Sequence, residues 1–240
     1  MKKLFYDIVE AMLTIFAVMK NKFFVNNINA YQKIIEKLYS ESSISPILYN
    51  KFVHYDKRED LFKLLIRKNY IQNNQNVLDL GSGTGLFSKV ILESNMNLNL
   101  VGIDISSSMI QHANVYTYKS NGKHLFIKDD FHNLTRLSDK RKFDVIVAIG
   151  INRFVVKPSK FYETVLDKVK INGLIILSLY KRNILKIIQV NIFKTCTMGV
   201  FKGVMYYNSK LISDFENYYK IHTLNVINFR SKVILVLKRM

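Results

Sequence analysis

The run Val77-Leu78-Asp79-Leu80-Gly81-Ser82-Gly83-Thr84-Gly85-Leu86-Phe87 constrains this chain more than any other part of it. A short apolar run that ends in alternating glycines and resumes as an apolar-periodic segment predicts a buried strand turning directly into a helix. Glycine at 81, 83 and 85 permits positive φ and leaves no Cβ in the way, so a ligand can lie directly against the main chain. Two ligand classes compete for such a turn. A dinucleotide needs Gly-x-Gly-x-x-Gly, so that its pyrophosphate meets a helix N-terminus, but counting from Gly81 the last glycine would fall at Leu86. Asp79 would also set a negative charge beside any phosphate, and it suits an ammonium group better.

Around this turn the chain alternates. Short apolar runs predict strands at Val77 to Leu80, Leu98 to Ile103, His124 to Ile127, Phe143 to Ile149, Leu174 to Leu179, Ile221 to Ile227 and Lys232 to Leu237. Helices are expected over Leu86 to Ser94, Ser107 to Lys119, Lys160 to Val169 and Ser209 to Tyr219. The fold class is therefore α/β, a doubly wound, seven-stranded, mostly parallel sheet with helices on both faces and ligands at the carboxyl ends of the strands. The last two runs are close enough in sequence to form an antiparallel hairpin.

Residues 1–75 form a separate N-terminal helical extension in this reading, and 76–240 the ligand-binding domain. Lys2 and Lys3 before the apolar run Ala11 to Met19 imitate a signal sequence, but the run is too short to cross a bilayer and no small-residue cleavage site follows. Met1 to Asn27 instead reads as an amphipathic helix with Leu4, Phe5, Ile8, Met12, Ile15 and Phe16 on its apolar face. It would pack on the domain, on a second copy as a homodimer, or on a membrane surface. Further helices are expected over Ala30 to Tyr39 and Tyr55 to Lys68.

Cys196 is the only cysteine of the 240 residues, which excludes an intrachain disulfide, argues against a Cys-based zinc site and fits a reducing cytoplasm. No metal is expected. The net charge of +18 points to an anionic partner, although a chain so rich in Lys, Asn and Ile also carries the mark of AT-rich coding. The excess lies late, with 11 basic and 2 acidic residues after position 180.

The glycine turn, Asp104 at the end of the second strand, and Asp130-Phe131 after the third resemble, in order and spacing, the class I S-adenosylmethionine-dependent methyltransferases of the small-molecule or lipid type. The resemblance covers roughly Asn76 to Gly173. Phe143 to Val147 resembles the family's fourth strand, and Asn172-Gly173-Leu174 its turn into the fifth. It implies S-adenosylmethionine as cofactor, with Asp79 near the methionine end and Gly81, Ser82, Gly83 and Gly85 forming the floor. Asp104 would accept the ribose hydroxyls, a role that dinucleotide folds share. By the same resemblance Asp130 would meet the adenine amino group, with Asp129 competing one residue away. Phe131 and Ile105 would cover the two faces of the ring, and Ile149 completes the set.

The acceptor is less constrained. After the fourth strand, Ile149-Gly150-Ile151-Asn152-Arg153 contains neither an acid nor a histidine. It also lacks the Pro-Pro-aromatic signature of DNA amino-methyltransferases, and no Pro-Cys pair exists for attack at cytosine. Asn152 and Arg153 can orient an anionic or carbonyl-bearing acceptor, His132 and His54 are the nearest proton acceptors, and Tyr55, near Tyr49 and Asp56, is the expected lid residue. Residues 181–208 read as a substrate-covering insertion, and 181–203 hold five basic residues and no acid. A small or lipid-like anionic acceptor, met in the cytoplasm or at the inner face of a membrane, is the expectation. RNA is the less favoured partner, and a non-catalytic cofactor-binding regulator is the reading from another class.

Overall fold

The computed structural model describes residues 50, 57–116, 123–152, 154–155, 157–181, 209–230 and 232–240. The expected helices at Met1 to Asn27 and Ala30 to Tyr39 lie outside the described residues, as do Tyr49, His54, Tyr55, Asp56, Arg153 and the insertion from 182 onward.

A first helix, α1 (Arg58–Arg67), precedes the sheet. Then follow β1 (Asn76–Leu80), α2 (Leu86–Glu93), β2 (Asn99–Asp104), α3 (Ser107–Ala113), β3 (His124–Lys128), β4 (Phe143–Ala148), α4 (Pro158–Lys168), β5 (Val169–Tyr180), α5 (Ser209–Tyr219), β6 (Ile221–Phe229) and β7 (Lys232–Arg239). The seven strands form one sheet in the order β3-β2-β1-β4-β5-β7-β6. β1 to β5 run parallel, whereas β7 is antiparallel to both β5 and β6. The doubly wound sheet and its C-terminal hairpin are thus as the sequence predicts.

Strand order reverses between β1 and β4, so the connections leave these neighbours in opposite directions and open a crevice at their carboxyl ends. Alternation along the strands supplies two cores. Leu78 and Leu80 of β1 face α4 and α5, packing with Phe161, Val165 and Phe215. Val77 faces the other way, with Val145, Val147 and Ile149, toward Leu61, Phe62 and Leu65 of α1 and Phe87 of α2. Asp79 follows Val77 by two residues and so points to the α1 side of the sheet.

Two elements differ from expectation. β5 begins at Val169 because that residue pairs with Phe143, and the ladder crosses a bulge between Phe143 and Val145. Residues Val169 to Gly173, which look like a helix end and a turn, are strand for that reason, with Asn172 at φ +64. The helix expected to run from Ser107 gives way after Ala113 to a single tighter turn, Asn114–Tyr116. Among the described residues no helix is long and apolar enough to cross a membrane.

Candidate functional site

The glycine turn sits at the crevice, and its main-chain bonds reveal what it can receive. Gly81 and Ser82 both donate their N–H groups to the Ile103 carbonyl, at 2.8 and 2.9 Å. Gly83 N–H donates to Asp104 Oδ2 at 2.9 Å. These amides are spent on the end of β2, so they are not the donors a pyrophosphate requires. Gly81, Gly83 and Gly85 all adopt positive φ. The space a Cβ would take at Gly81 is held by Ile151, whose Cγ2 lies 2.2 Å from that position, and at Gly85 by Tyr116 and Ala113. At these two glycines close packing of the protein, rather than access for a ligand, explains the missing side chain. The Ser82 side chain turns inward too, its Oγ buried and without a hydrogen-bond partner among the described residues.

Carboxylates dominate what remains. Asp79 is 5% exposed and accepts no hydrogen bond from the described residues. Burial, and next the charge of Asp104, push its carboxyl up to about 7, against the pull of the Arg58 guanidinium. Asp104 is also raised by burial, opposed by the N–H groups of Ser106, Gly83 and Ile105 that bond its carboxylate. Its Oδ1 accepts from Ser106 N–H at 2.9 Å. The N-cap of α3 is Ser106, whose hydroxyl accepts from Met109 N–H at 3.3 Å, which leaves Asp104 to the turn and the crevice.

Beyond β3 the neighbouring acids divide. Asp129 is consumed locally, accepting from the Asp130 N–H, the Thr135 hydroxyl and the Arg136 N–H. Asp130 Oδ1 accepts from His132 N–H at 3.0 Å and pairs with His132 Nδ1 at 2.8 Å. His132 is 2% exposed, and its carbonyl accepts from Thr164 of α4. The Phe131 ring lies 4.5 Å from the His132 ring and meets Phe161 edge-on at 5.8 Å. Ile105 follows Asp104 half-buried.

At the end of β4, Ile149 and Asn152 are buried, and Gly150 N–H donates to Ser178 Oγ at 2.8 Å. Two residues absent from the sequence reading join the site. Asn50 accepts from the Thr84 hydroxyl of the glycine turn. Arg58 of α1 lays its guanidinium over Gly150, where an added Cβ would stand 2.6 to 2.8 Å from its Cζ and Nη atoms. Neither carries a local signal, since Asn50 lies 34 residues before the hydroxyl it meets and Arg58 reaches Gly150 only through the docking of α1.

Comparison with known proteins follows the same lines. A family model described as a methyltransferase domain matches residues 71–224. The chain is 29% identical over 159 residues to a carboxy-S-adenosyl-L-methionine synthase of Nautilia profundicola, covering 62% of this chain and 64% of that protein. It is 31% identical over 101 residues to a putative tRNA methyltransferase of Mycoplasma genitalium, 36% of this chain and 46% of the other. A ubiquinone biosynthesis O-methyltransferase of Bradyrhizobium diazoefficiens is 30% identical over 107 residues, 45% and 40% of the two chains. The chain thus spans between 40% and 64% of the length of these curated relatives. Solved structures share the fold at TM-scores of 0.52 to 0.61 with 9% to 18% identity.

Proposed function

The chain belongs to the class I S-adenosylmethionine-dependent methyltransferases, and from that membership we propose that it methylates a small or lipid-like acceptor. The observation that carries the cofactor side is the pair of carboxylates, Asp79 buried and Asp104 half-buried, flanking a turn whose amides are already bonded. Such a site repels phosphate and favours a cationic nucleoside. The chemistry of the residues present fits this ligand. Asp79 would take its ammonium group. Asp104 would accept from the ribose with the lone pair that Gly83, Ser106 and Ile105 leave unused, since each carboxylate oxygen can accept twice. Asp130 would accept from the adenine amino group, its carboxylate steadied by His132, between Phe131 and Ile105. The Gly81-to-Gly85 turn and Ile149 would back the nucleoside.

When bound, S-adenosylmethionine supplies a methyl group already activated on a sulfonium. The chain must then hold the acceptor in line and keep water out. Asn152, Arg153 and Tyr55 are proposed for acceptor contact, and His132 acts through Asp130 instead of as a base, because its Nδ1 is already paired with Asp130 Oδ1. A lipid-like acceptor is supported by the ubiquinone-pathway relative and by the basic, apolar composition of residues 181–203. The tRNA methyltransferase relative and the net charge favour RNA as a second reading.

Calorimetry with S-adenosylhomocysteine tests the first half. We expect saturable heat, none with a nicotinamide dinucleotide, and at least about tenfold weaker binding for Asp104→Ala, which loses a charge-assisted acceptor. Unchanged affinity in Asp104→Ala would remove the ribose assignment. Incubating the protein with methyl-labelled donor and separate lipid, metabolite and RNA fractions tests the second half. Label in lipid or metabolite supports the proposal, label in RNA replaces it, and binding without transfer would indicate a regulator.

A further inference from the structure

Away from the crevice, the core of the sheet encloses one polar pair. Ser88 of α2 and His124, the first residue of β3, are 0% and 3% exposed, and Ser88 Oγ shares a hydrogen bond with His124 Nδ1. The other ring nitrogen, Nε2, is buried and has no partner among the described residues. A neutral imidazole needs a donor or an acceptor at each nitrogen, whereas the protonated ring carries two N–H groups that both need acceptors. Protonation would therefore leave a buried cation with one N–H unsatisfied, and a buried charge of that kind is costly.

The pair sits where the sheet is weakest. β3 is an edge strand, paired with β2 alone among the described residues, with His124 opposite Leu100. Two residues further along the same face, the Phe126 ring covers Gly102 of β2, where an added Cβ would stand 2.4 Å from Phe126 Cδ1 and 2.9 Å from Ser82 Cβ of the glycine turn. Past its far end the chain continues into Asp129 and Asp130 at the crevice. We propose that the Ser88–His124 pair is an acid-sensitive latch, in which protonation of the imidazole frees β3 from α2 and β2 while the remainder of the sheet stays closed. It goes beyond the cofactor reading and depends on nothing bound in the crevice.

No charged neighbour offsets the cost. Lys89 and Glu93 of α2 pair with each other and with Glu59 and Lys63 of α1. The one ionisable side chain of β2 is Asp104, at its opposite end, and Lys128 stands at the far end of β3. His112 of α3 is exposed and bonds the Ser108 carbonyl, Tyr116 lies against Gly85, and Lys123 is exposed. Burial is what lowers the imidazole, from 6.5 to about 4. Because the folded value is depressed, the latch is closed above about pH 6.5, weakens as pH falls, and has nothing further to lose below about pH 4.

Hydrogen exchange of the full chain, read by mass spectrometry and corrected for the intrinsic pH dependence of exchange, measures the opening directly. In the parent we expect peptides covering residues 123–131 to open on the order of thirtyfold more at pH 5 than at pH 8, while those of β5 and β7 keep their protection. His124→Gln and His124→Leu, which cannot titrate, should lose this rise. Ser88→Ala should open β3 further at both pH values and keep it. The latch is wrong if the parent shows no rise, if the rise is shared equally by β5 and β7, or if it persists in a folded His124 variant. The first two of these outcomes need no variant to fold, and none of them bears on the cofactor assignment.

Discussion

Asp79 shows how one residue links stability to binding. A carboxyl raised from 3.8 to about 7 binds its proton more tightly folded than unfolded. Its charge costs the fold nothing below about pH 4, and the penalty grows until about pH 7, where a shift of this size corresponds to about 4 kcal/mol at most. A ligand ammonium needs the ionised form. Affinity for S-adenosylhomocysteine should therefore fall as pH drops below about 7, by up to about tenfold per unit, and level off above it. Asp79→Asn should lose this slope, bind more weakly at pH 8 and yet unfold at higher denaturant there, which calorimetry and guanidinium titration would check. A variant that kept the slope would assign it to another group. Asp79 and Asp104 were legible in the sequence because one stands just before the end of a strand and the other at its end, each at a fixed distance from the glycines. Arg58 was not, since a basic residue at the start of an amphipathic helix looks like any solvated charge until α1 is docked. The glycines were legible as a turn but not in their reasons: at 81 and 85 the space that lack of a Cβ leaves is taken by Ile151 and by Ala113 with Tyr116.

Among the elements, α1 has the most to explain, since it packs on the sheet while carrying Arg58. The ion pairs of Glu59 with Lys89 and of Lys63 with Glu93 join it to α2, but these side chains are about a third or more exposed and such pairs contribute little. Apolar contact holds the helix. Phe62 stacks on Phe87 with ring centroids 4.7 Å apart, and Leu61 and Leu65 are fully covered. Phe62→Ala should cost about 3 to 5 kcal/mol in denaturant unfolding. It should also weaken S-adenosylhomocysteine, because a loosened α1 no longer covers the face of the sheet to which Asp79 points. Stability lost with no change in that affinity would uncouple helix docking from the crevice. The apolar spacing of α1 was readable in advance, as were the strands of the sheet. The extension of β5 to Val169 was not, because Lys170 to Gly173 have no strand pattern of their own and take up the ladder only from Phe143.

For the whole molecule the open quantity is charge. A net +18 can reflect selection for an anionic partner or the codon bias of a chain rich in Lys and Asn, and composition alone does not separate them. Distribution says more, because the last 60 residues hold 11 of the 36 basic residues, close to an even share, but only 2 of the 18 acidic ones, so the local excess comes from missing acids. Among these basic residues, Lys210, Lys220 and Arg230 are solvent-exposed on α5 and at the two ends of β6. Each basic residue near an anionic bilayer contributes about 1 kcal/mol at low salt, and the attraction is largely screened beyond the Debye length, about 8 Å at physiological ionic strength. Sedimentation with phosphatidylglycerol-containing vesicles should therefore recover the protein at about 0.05 M salt and release it at about 0.5 M, while phosphatidylcholine vesicles recover little at either. Substituting Glu for Lys210, Lys220 and Arg230 together should weaken vesicle binding without touching S-adenosylhomocysteine affinity, since none of the three lies at the crevice. Equal recovery on neutral and anionic vesicles would make the charge a coding trait, and displacement from vesicles by substoichiometric RNA would turn the same surface toward the second reading.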